Sequence, residues 1–262
     1  MAQHDRLYQR AVLYDIALKR DVGREAAFIP ALYEHHTGTP LRSVLDIACG
    51  PGYHARALAR AGIRAVGLDY SAGMIALARE YAAADGVEVA WLEADMRDFR
   101  LEAPVDMAVC MFDGVDALVE NDDFVRHLRA VAANLGPRGL YLIDCTHPRV
   151  CSYGHYGDYR YEGERDGVHV EILWATNRPA IDVTTGVAEV AVEMRVNGNG
   201  EEQIIRDVAR ERCFTGQEIR LLARLSGVFD VIGWYGDADL NQPLHQSPQA
   251  QRMIAVLQKK EA

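Results

Sequence analysis

Three carboxylates stand where apolar runs end, and their spacing points to a nucleoside ligand. Asp46 lies within Val44-Leu45-Asp46-Ile47-Ala48-Cys49-Gly50-Pro51-Gly52-Tyr53-His54-Ala55. Asp69 closes Val66-Gly67-Leu68-Asp69, and Asp95 follows Glu93-Ala94. Glycines let a ligand approach the backbone, and a helix N-terminus offers free N–H groups. Gly50-Pro51-Gly52-Tyr53-His54-Ala55 fits the dinucleotide pattern G-x-G-x-x-G/A. Asp69, 19 residues past Gly50, is placed to accept from both hydroxyls of an adenosine ribose. These features alone suit either NAD or S-adenosylmethionine. Asp46 separates them, because a diphosphate repels a carboxylate there, whereas a ligand with an ammonium and a sulfonium attracts it. Asp95 is placed to accept from an adenine amino group, and the Met96 backbone N–H to donate to a ring nitrogen.

The elements that must position these groups read as an α/β alternation. Strand candidates are Ser43–Ala48, Arg64–Asp69, Val87–Leu92, Val105–Cys110 and Leu140–Asp144, each short and apolar, as strands covered on both faces are. Helical patterns lie near Tyr53–Ala61, Ala72–Ala83, Ala117–Leu118 and Asp122–Leu135. Such units predict a parallel sheet with helices on both faces. Upstream, residues 5–20 form one helical stretch and Arg24–His36 a second, with Asp21 as N-cap, Gly38 as stop and Pro30 predicting a kink or split. Gly136-Pro137-Arg138-Gly139 reads as a turn.

The pattern changes near residue 150. Tyr159–Tyr161, Val168–Thr176, Val187–Val196 and Gln203–Cys213 alternate like antiparallel strands. Arg165-Asp166-Gly167 and Asn197-Gly198-Asn199-Gly200 supply hairpin turns between them. A helix (Gly216–Leu225) and two strands (Val228–Tyr235, Met253–Leu257) return the chain to the main sheet. The expected division is a helical lid (1–40), a cofactor-binding core (41–150), an antiparallel β insertion (151–213) and completion of the core sheet (214–262).

Of 262 residues, 49% are hydrophobic and 25% charged, a globular balance. Acidic residues number 38 against 28 basic, a formal net charge of −10, which disfavours a nucleic-acid groove. The five cysteines form no C-x-x-C pair, so neither zinc nor a disulfide framework is expected. No apolar run is long enough to span a membrane, and the N-terminus lacks a signal core, so a cytoplasmic protein is expected.

The chain resembles the class I S-adenosylmethionine-dependent methyltransferases of the bacterial small-molecule type. The resemblance rests on V-L-D-I-A-C-G-P-G (44–52), G-L-D-Y-S-A-G-M (67–74), A-D-M-R-D-F (94–99), V-D-M-A-V-C-M-F-D (105–113) and L-G-P-R-G-L-Y-L-I-D (135–144). It implies a doubly wound, Rossmann-like seven-stranded sheet whose last strand is antiparallel. It further implies that Asp46, Gly50 and Gly52 line the amino-acid part of S-adenosylmethionine and that Asp69 holds the ribose. Tyr70 and Met74 would cover the adenine while Asp95 and Met96 read its edge. Tyr14, Ala48 and Phe112 complete the expected cofactor contacts.

In open α/β sheets, chemistry occurs beyond the C-terminal strand ends. Those ends supply Phe112, Asp113, Thr146 and His147. The next segment is tyrosine-rich and contains His155 and Tyr156; its rings could cage a cation. The candidate catalytic residues are therefore His147, His155, Tyr156 and Asp113, the last as ligand to an acceptor ammonium. Tyr8 and Tyr14 could close the site as a lid. Plainer roles compete: tyrosines as packing, His147 as a turn before Pro148, Asp113 as a helix cap, Met74 as core. No carboxylate trio suggests a metal. The expected function is in-line methyl transfer to a nitrogen or oxygen of a small molecule. The alternatives are cyclisation of the cofactor tail with release of methylthioadenosine, and a non-catalytic cofactor-binding partner. The insertion reads as a cap or as a homodimer surface.

Overall fold

The computed structural model describes residues 5–150, 159–198 and 201–261. Helices α1 (Asp5–Tyr8), α2 (Ala11–Leu18) and α3 (Gly23–Thr37) precede the sheet. Then β1 (Ser43–Ile47), α4 (Tyr53–Arg60), β2 (Arg64–Asp69), α5 (Ala72–Asp85), β3 (Val89–Glu93), β4 (Val105–Cys110), α6 (Asn121–Ala133) and β5 (Leu135–Thr146) alternate. The antiparallel strands β6 (Tyr159–Arg165), β7 (Val168–Trp174), β8 (Val187–Gly198) and β9 (Glu201–Arg212) follow, then α7 (Gly216–Ser226), β10 (Phe229–Tyr235) and β11 (Arg252–Lys259).

The seven-stranded sheet has the order β10-β11-β5-β4-β1-β2-β3. Every β1 residue is buried, the signature of a strand covered on both faces. Because β1 pairs in parallel with β2 and β4, the ends of all three strands open on the same side; Asp46 sits opposite Gly67 and Val109. The last strand, β11, is antiparallel to both its neighbours, β5 and β10. That pairing sets Arg252 opposite Thr146.

The second sheet runs β6-β7-β8-β9. Asp166 and Gly167 both have left-handed φ, 52° and 74°, the backbone that a two-residue hairpin requires. One face of this sheet buries Val170, Ile172, Val190 and Met194 against Leu7, Ile16 and Leu18. Burial of such side chains stabilises by roughly 1.5–3 kcal/mol each. The other side of α2 meets α5, where Ala11 packs on Met74 and Leu77. Helix α2 is thus held between the second sheet and the core.

Several local expectations change. Helix α3 runs through Pro30 without a break, since Phe28, Ile29 and Leu32 on either side of it are buried in the core. Residues 5–20 form two helices, not one, separated at Gln9-Arg10. The helix expected at Ala117–Leu118 is a 3-10 turn, Gly114–Ala117. Gly136–Gly139 belongs to β5 rather than to a separate turn: it is an excursion in which the pairing jumps from Val105↔Leu135 to Met107↔Leu140. The Asn199-Gly200 turn lies outside the described residues.

Candidate active site

A cleft of about 1250 Å³ opens beyond the C-terminal ends of β1, β2 and β4. Its walls include Tyr8 and Tyr14 from the N-terminal helices, and Trp174, Ala209 and Glu211 from the second sheet. Both layers outside the main sheet therefore help to enclose it, as a site that excludes water needs.

Asp46 is 1% exposed, and its Oδ2 accepts the Ala55 N–H at 3.1 Å, which fixes the carboxylate under the first turn of α4. Burial pushes its carboxyl up to about 7; the Ala55 N–H opposes this and nearby Asp69 adds to it. Asp69 accepts the Gly50 N–H at 2.8 Å through Oδ2 and the Ser71 N–H at 2.8 Å through Oδ1. Its two oxygens are thereby spread and oriented at the end of β2. Burial raises its pKa, and the N–H donors of Ser71, Gly50 and Tyr70 hold it down.

The turn between β1 and α4 uses left-handed backbone at Ala48, Gly50 and Gly52, with φ of 54°, 52° and 75°. Ala48 and Gly50 line the cleft. Gly52 sits one layer behind, buried against Trp91, where a side chain would overlap the indole. Gly67 packs on the same indole. The second glycine of the fingerprint therefore serves helix–sheet packing, while the first borders open space.

The other residues expected to meet an adenosine border the same cleft. Tyr70, Met74, Asp95 and Met96 all line the cleft. Tyr70 is 60% exposed, whereas Met74 is 2% exposed and joins the Ala11–Leu77 packing as well. Asp95 is held by Arg97, whose Nη2 donates at 2.6 Å and whose Nε donates at 2.9 Å. That pairing keeps its carboxyl below the ordinary range. Arg97 is itself tethered to Asp123 at 2.6 Å.

At the end of β4, Phe112 and Asp113 both have positive φ, 50° and 68°. Such backbone persists only where its surroundings fix it. Here the Phe112 N–H donates to Asp144 at 3.0 Å, and Asp113 receives Arg252 Nη1 at 2.8 Å and the Thr146 N–H. Arg252 also binds Asp144 at 2.8 Å. Burial opposes charge on Arg252, but Asp144 and Asp113 outweigh it and hold the guanidinium protonated. Asp113 stands before the 3-10 turn yet makes no side-chain cap; the expected helix-cap role is replaced by this ion pair.

The candidate acid–base residues separate. Asp113 lines the cleft. His147 lies beyond the cleft wall, where its Nδ1 accepts the Arg149 N–H at 3.1 Å and its own N–H donates to Gln251. His155 and Tyr156 lie outside the described residues. Tyr14 lines the cleft, and burial lifts its phenol to about 12, so it stays protonated. Tyr8 and Tyr14 meet edge-on at 5.4 Å.

The structure adds lining residues that sequence reasoning did not assign. Asp116 and Glu211 are buried in the wall beside Asp113. Burial, then Asp113 and Glu211, push the Asp116 carboxyl well above the ordinary range. His54, which follows the fingerprint glycines, is 5% exposed, and its Nε2 has no hydrogen-bond partner among the described residues. Burial and then Arg20 push it down to about 3, so the ring is neutral. Arg20 lies over the Phe112 ring, 4.0 Å from its centroid. Among the described residues, no group of three or more His, Cys, Asp or Glu could hold a metal, and no helix is long and apolar enough to cross a membrane.

Comparison with known proteins agrees with this geometry. Residues 44–139 match the family model described as "Methyltransferase domain". The chain superposes on an S-adenosylmethionine-dependent methyltransferase from Clostridium acetobutylicum with a TM-score of 0.76, at 16% identity, covering 96% of this chain and 98% of that one. This is a class I methyltransferase fold. The chain also superposes on DesVI of Streptomyces venezuelae, with a TM-score of 0.74 and 22% identity over 100% of both chains. By sequence, the chain is 34% identical over 137 residues to a dTDP-3-amino-3,6-dideoxy-alpha-D-glucopyranose N,N-dimethyltransferase from Streptomyces fradiae, covering 51% of this chain and 52% of that protein. A dTDP-3-amino-3,4,6-trideoxy-alpha-D-glucopyranose N,N-dimethyltransferase from Streptomyces venezuelae is 28% identical over 132 residues, 50% of this chain and 54% of that protein. The chain spans about half the length of the curated relatives it matches.

Proposed function

We propose that this chain binds S-adenosylmethionine in the cleft and transfers its methyl group to a nitrogen of a small-molecule amine. The observation that carries the reading is the pair Asp46 and Asp69, buried at the ends of adjacent parallel strands and lining one cleft. When bound, S-adenosylmethionine supplies an electrophilic methyl on a sulfonium. The residues fit it: Asp46 offers a free oxygen to its ammonium, and Asp69 has lone pairs left for its ribose hydroxyls. Tyr70, Met74, Asp95 and Met96 would receive the adenine.

The displacement is in line, so the protein's main work is alignment and exclusion of water. Tyr8, Tyr14 and the second sheet enclose the reacting end. A nitrogen acceptor is supported by the Asp116 and Glu211 carboxyl groups of the wall, whose oxygens can accept from an amine's N–H groups beside the Asp113–Arg252 pair. Asp116 lines the same wall, and its carboxylate form can take the proton that an amine must lose. Similarity to the amino-sugar N,N-dimethyltransferases supports the same acceptor class.

The test is product analysis by mass spectrometry. The protein is incubated with S-adenosylmethionine and a panel of small amines, including nucleotide-linked amino sugars, and hydroxyl-only analogues. Methylated amine with equal S-adenosylhomocysteine is expected. Release of methylthioadenosine, or methylation of the hydroxyl analogues alone, would overturn the reading.

A further inference from the structure

Arg252 lines the cleft where β5 ends and β11 begins, yet none of its guanidinium nitrogens is left for a ligand. Nε donates to Asp144 Oδ1 at 2.8 Å. Nη1 donates to Asp113 Oδ2 at 2.8 Å and to Thr146 Oγ1 at 3.0 Å. Nη2 is buried away from solvent and has no hydrogen-bond partner among the described residues.

The sheet order puts β4, β5 and β11 on the side of β1 away from β2. Asp46 and Asp69, on β1 and β2, mark the half of the cleft proposed for the cofactor. Asp113, Thr146 and Arg252, at the ends of β4, β5 and β11, therefore wall the half left for the acceptor. An unspent guanidinium there would grip a phosphate through two parallel N–H bonds. Here one guanidinium stands between two carboxylates, so the group as a whole is negative and repels a phosphate. Arg210 on β9 is likewise matched, by Glu120 at 3.4 Å. The second sheet adds Tyr161, Trp174 and Glu211 to the wall, and Trp174 Nε1 donates to Glu211 Oε2 at 3.2 Å. Rings beside a carboxyl group suit the carbon skeleton and N–H groups of an amine.

Asp113 tips this balance. It reaches Arg252 from left-handed backbone, φ 68°, and its Oδ1 also holds the Thr146 N–H. An uncharged residue in its place would leave Arg252 balanced by Asp144 alone. We propose that Asp113 is a specificity-determining residue: by occupying Arg252 it makes the acceptor end select an amine that carries no phosphate over one linked to a nucleoside diphosphate. The proposal rests on the S-adenosylmethionine reading of the cleft and narrows its acceptor class to phosphate-free amines, amino sugars included.

Calorimetry on the full chain, with inorganic pyrophosphate as the probe, tests it. Uptake of S-adenosylhomocysteine is measured first, and the loaded protein then receives pyrophosphate. The quantity read is the part of the pyrophosphate affinity that Arg252→Met removes. The wild type should show none at millimolar concentration. Asp113→Gly suits the left-handed backbone and frees Nη1. It should bind pyrophosphate roughly 10- to 100-fold tighter, the scale of a charge-assisted hydrogen-bonded pair, and adding Arg252→Met should abolish the gain. Asp113→Asn keeps an acceptor for the Thr146 N–H and should gain less; it guards against a folding defect in the glycine variant. Arg252-dependent binding of pyrophosphate by the wild type would overturn the proposal, as would the absence of a gain in both variants. Failure of the wild type to take up S-adenosylhomocysteine would instead overturn the reading of the cleft on which the proposal rests.

Discussion

Asp15 in α2 and Arg165 at the end of β6 form an ion pair at 2.5 Å although 150 residues separate them. The carboxylate is 1% exposed and also accepts the hydroxyls of Tyr53 and Tyr81. One buried group thus joins the N-terminal helices, the first turn of α4, helix α5 and the second sheet. It is the polar latch that fixes both outer layers of the cleft to the core.

Removing the latch should cost stability and site closure together. Asp15→Ala leaves two tyrosine hydroxyls and a part-buried guanidinium without their acceptor. The Arg165 side chain is 30% exposed, so water recovers part of the loss. The expected destabilisation is about 1–3 kcal/mol, with Arg165→Met costing less. Urea denaturation monitored by circular dichroism checks this. An Asp15→Ala midpoint equal to that of the wild type would show that the latch carries no net stability.

Gly52 and Gly67 both border the Trp91 indole, and Gly52 also needs its left-handed backbone. Gly52→Ala is therefore expected to destabilise by about 2–4 kcal/mol through overlap and strain. Gly67→Ala meets only the overlap. Shrinking the indole with Trp91→Leu should restore more of the Gly67→Ala loss than of the Gly52→Ala loss. Thermal unfolding of the single and double variants reads the difference, and equal rescue of both would contradict it.

Asp46 sets a pH dependence of opposite sign for folding and for binding. Its carboxyl sits near 7 in the folded chain, raised mainly by burial. The folded state therefore holds its proton more tightly than the unfolded state, and this site's contribution to stability falls as pH rises from about 4 to about 7. Asp46→Asn removes that loss and should make the ligand-free protein more stable at pH 8, by roughly 1–4 kcal/mol. A bound ammonium prefers the ionised carboxylate. Affinity of the wild type for S-adenosylhomocysteine should accordingly fall as pH drops below about 7, approaching tenfold per pH unit. Asp46→Asn should bind weakly at every pH. Titrations between pH 6 and 8 that show flat wild-type affinity would remove Asp46 from the ammonium site.

What sequence reading recovers follows from what is local. Asp46, Gly50 and Asp69 are readable because a parallel strand that ends in a carboxylate or a glycine turn puts that residue at the sheet's edge. The four-stranded insertion is readable from alternation and from Asp166-Gly167. Arg20, Arg252, Asp116 and Glu211 are not, because their meeting depends on tertiary placement. Arg252 reaches Asp113 only because β11 pairs antiparallel with β5, and Arg20 reaches Phe112 only because α2 is pinned under the second sheet. Pro30 shows the converse: its local signal breaks a helix, and burial of the residues around it overrides that signal.

The central claim is that the crevice at the ends of β1 and β2 receives an adenosine bearing a charged amino-acid tail. Calorimetric titration of the wild type and of Asp69→Ala with S-adenosylhomocysteine tests it most directly. The wild type should bind one ligand per chain, and Asp69→Ala should lose at least about 30-fold, since two ribose hydroxyls lose a charged acceptor. No heat from the wild type at micromolar to millimolar ligand, or equal affinity in the two proteins, would contradict the account.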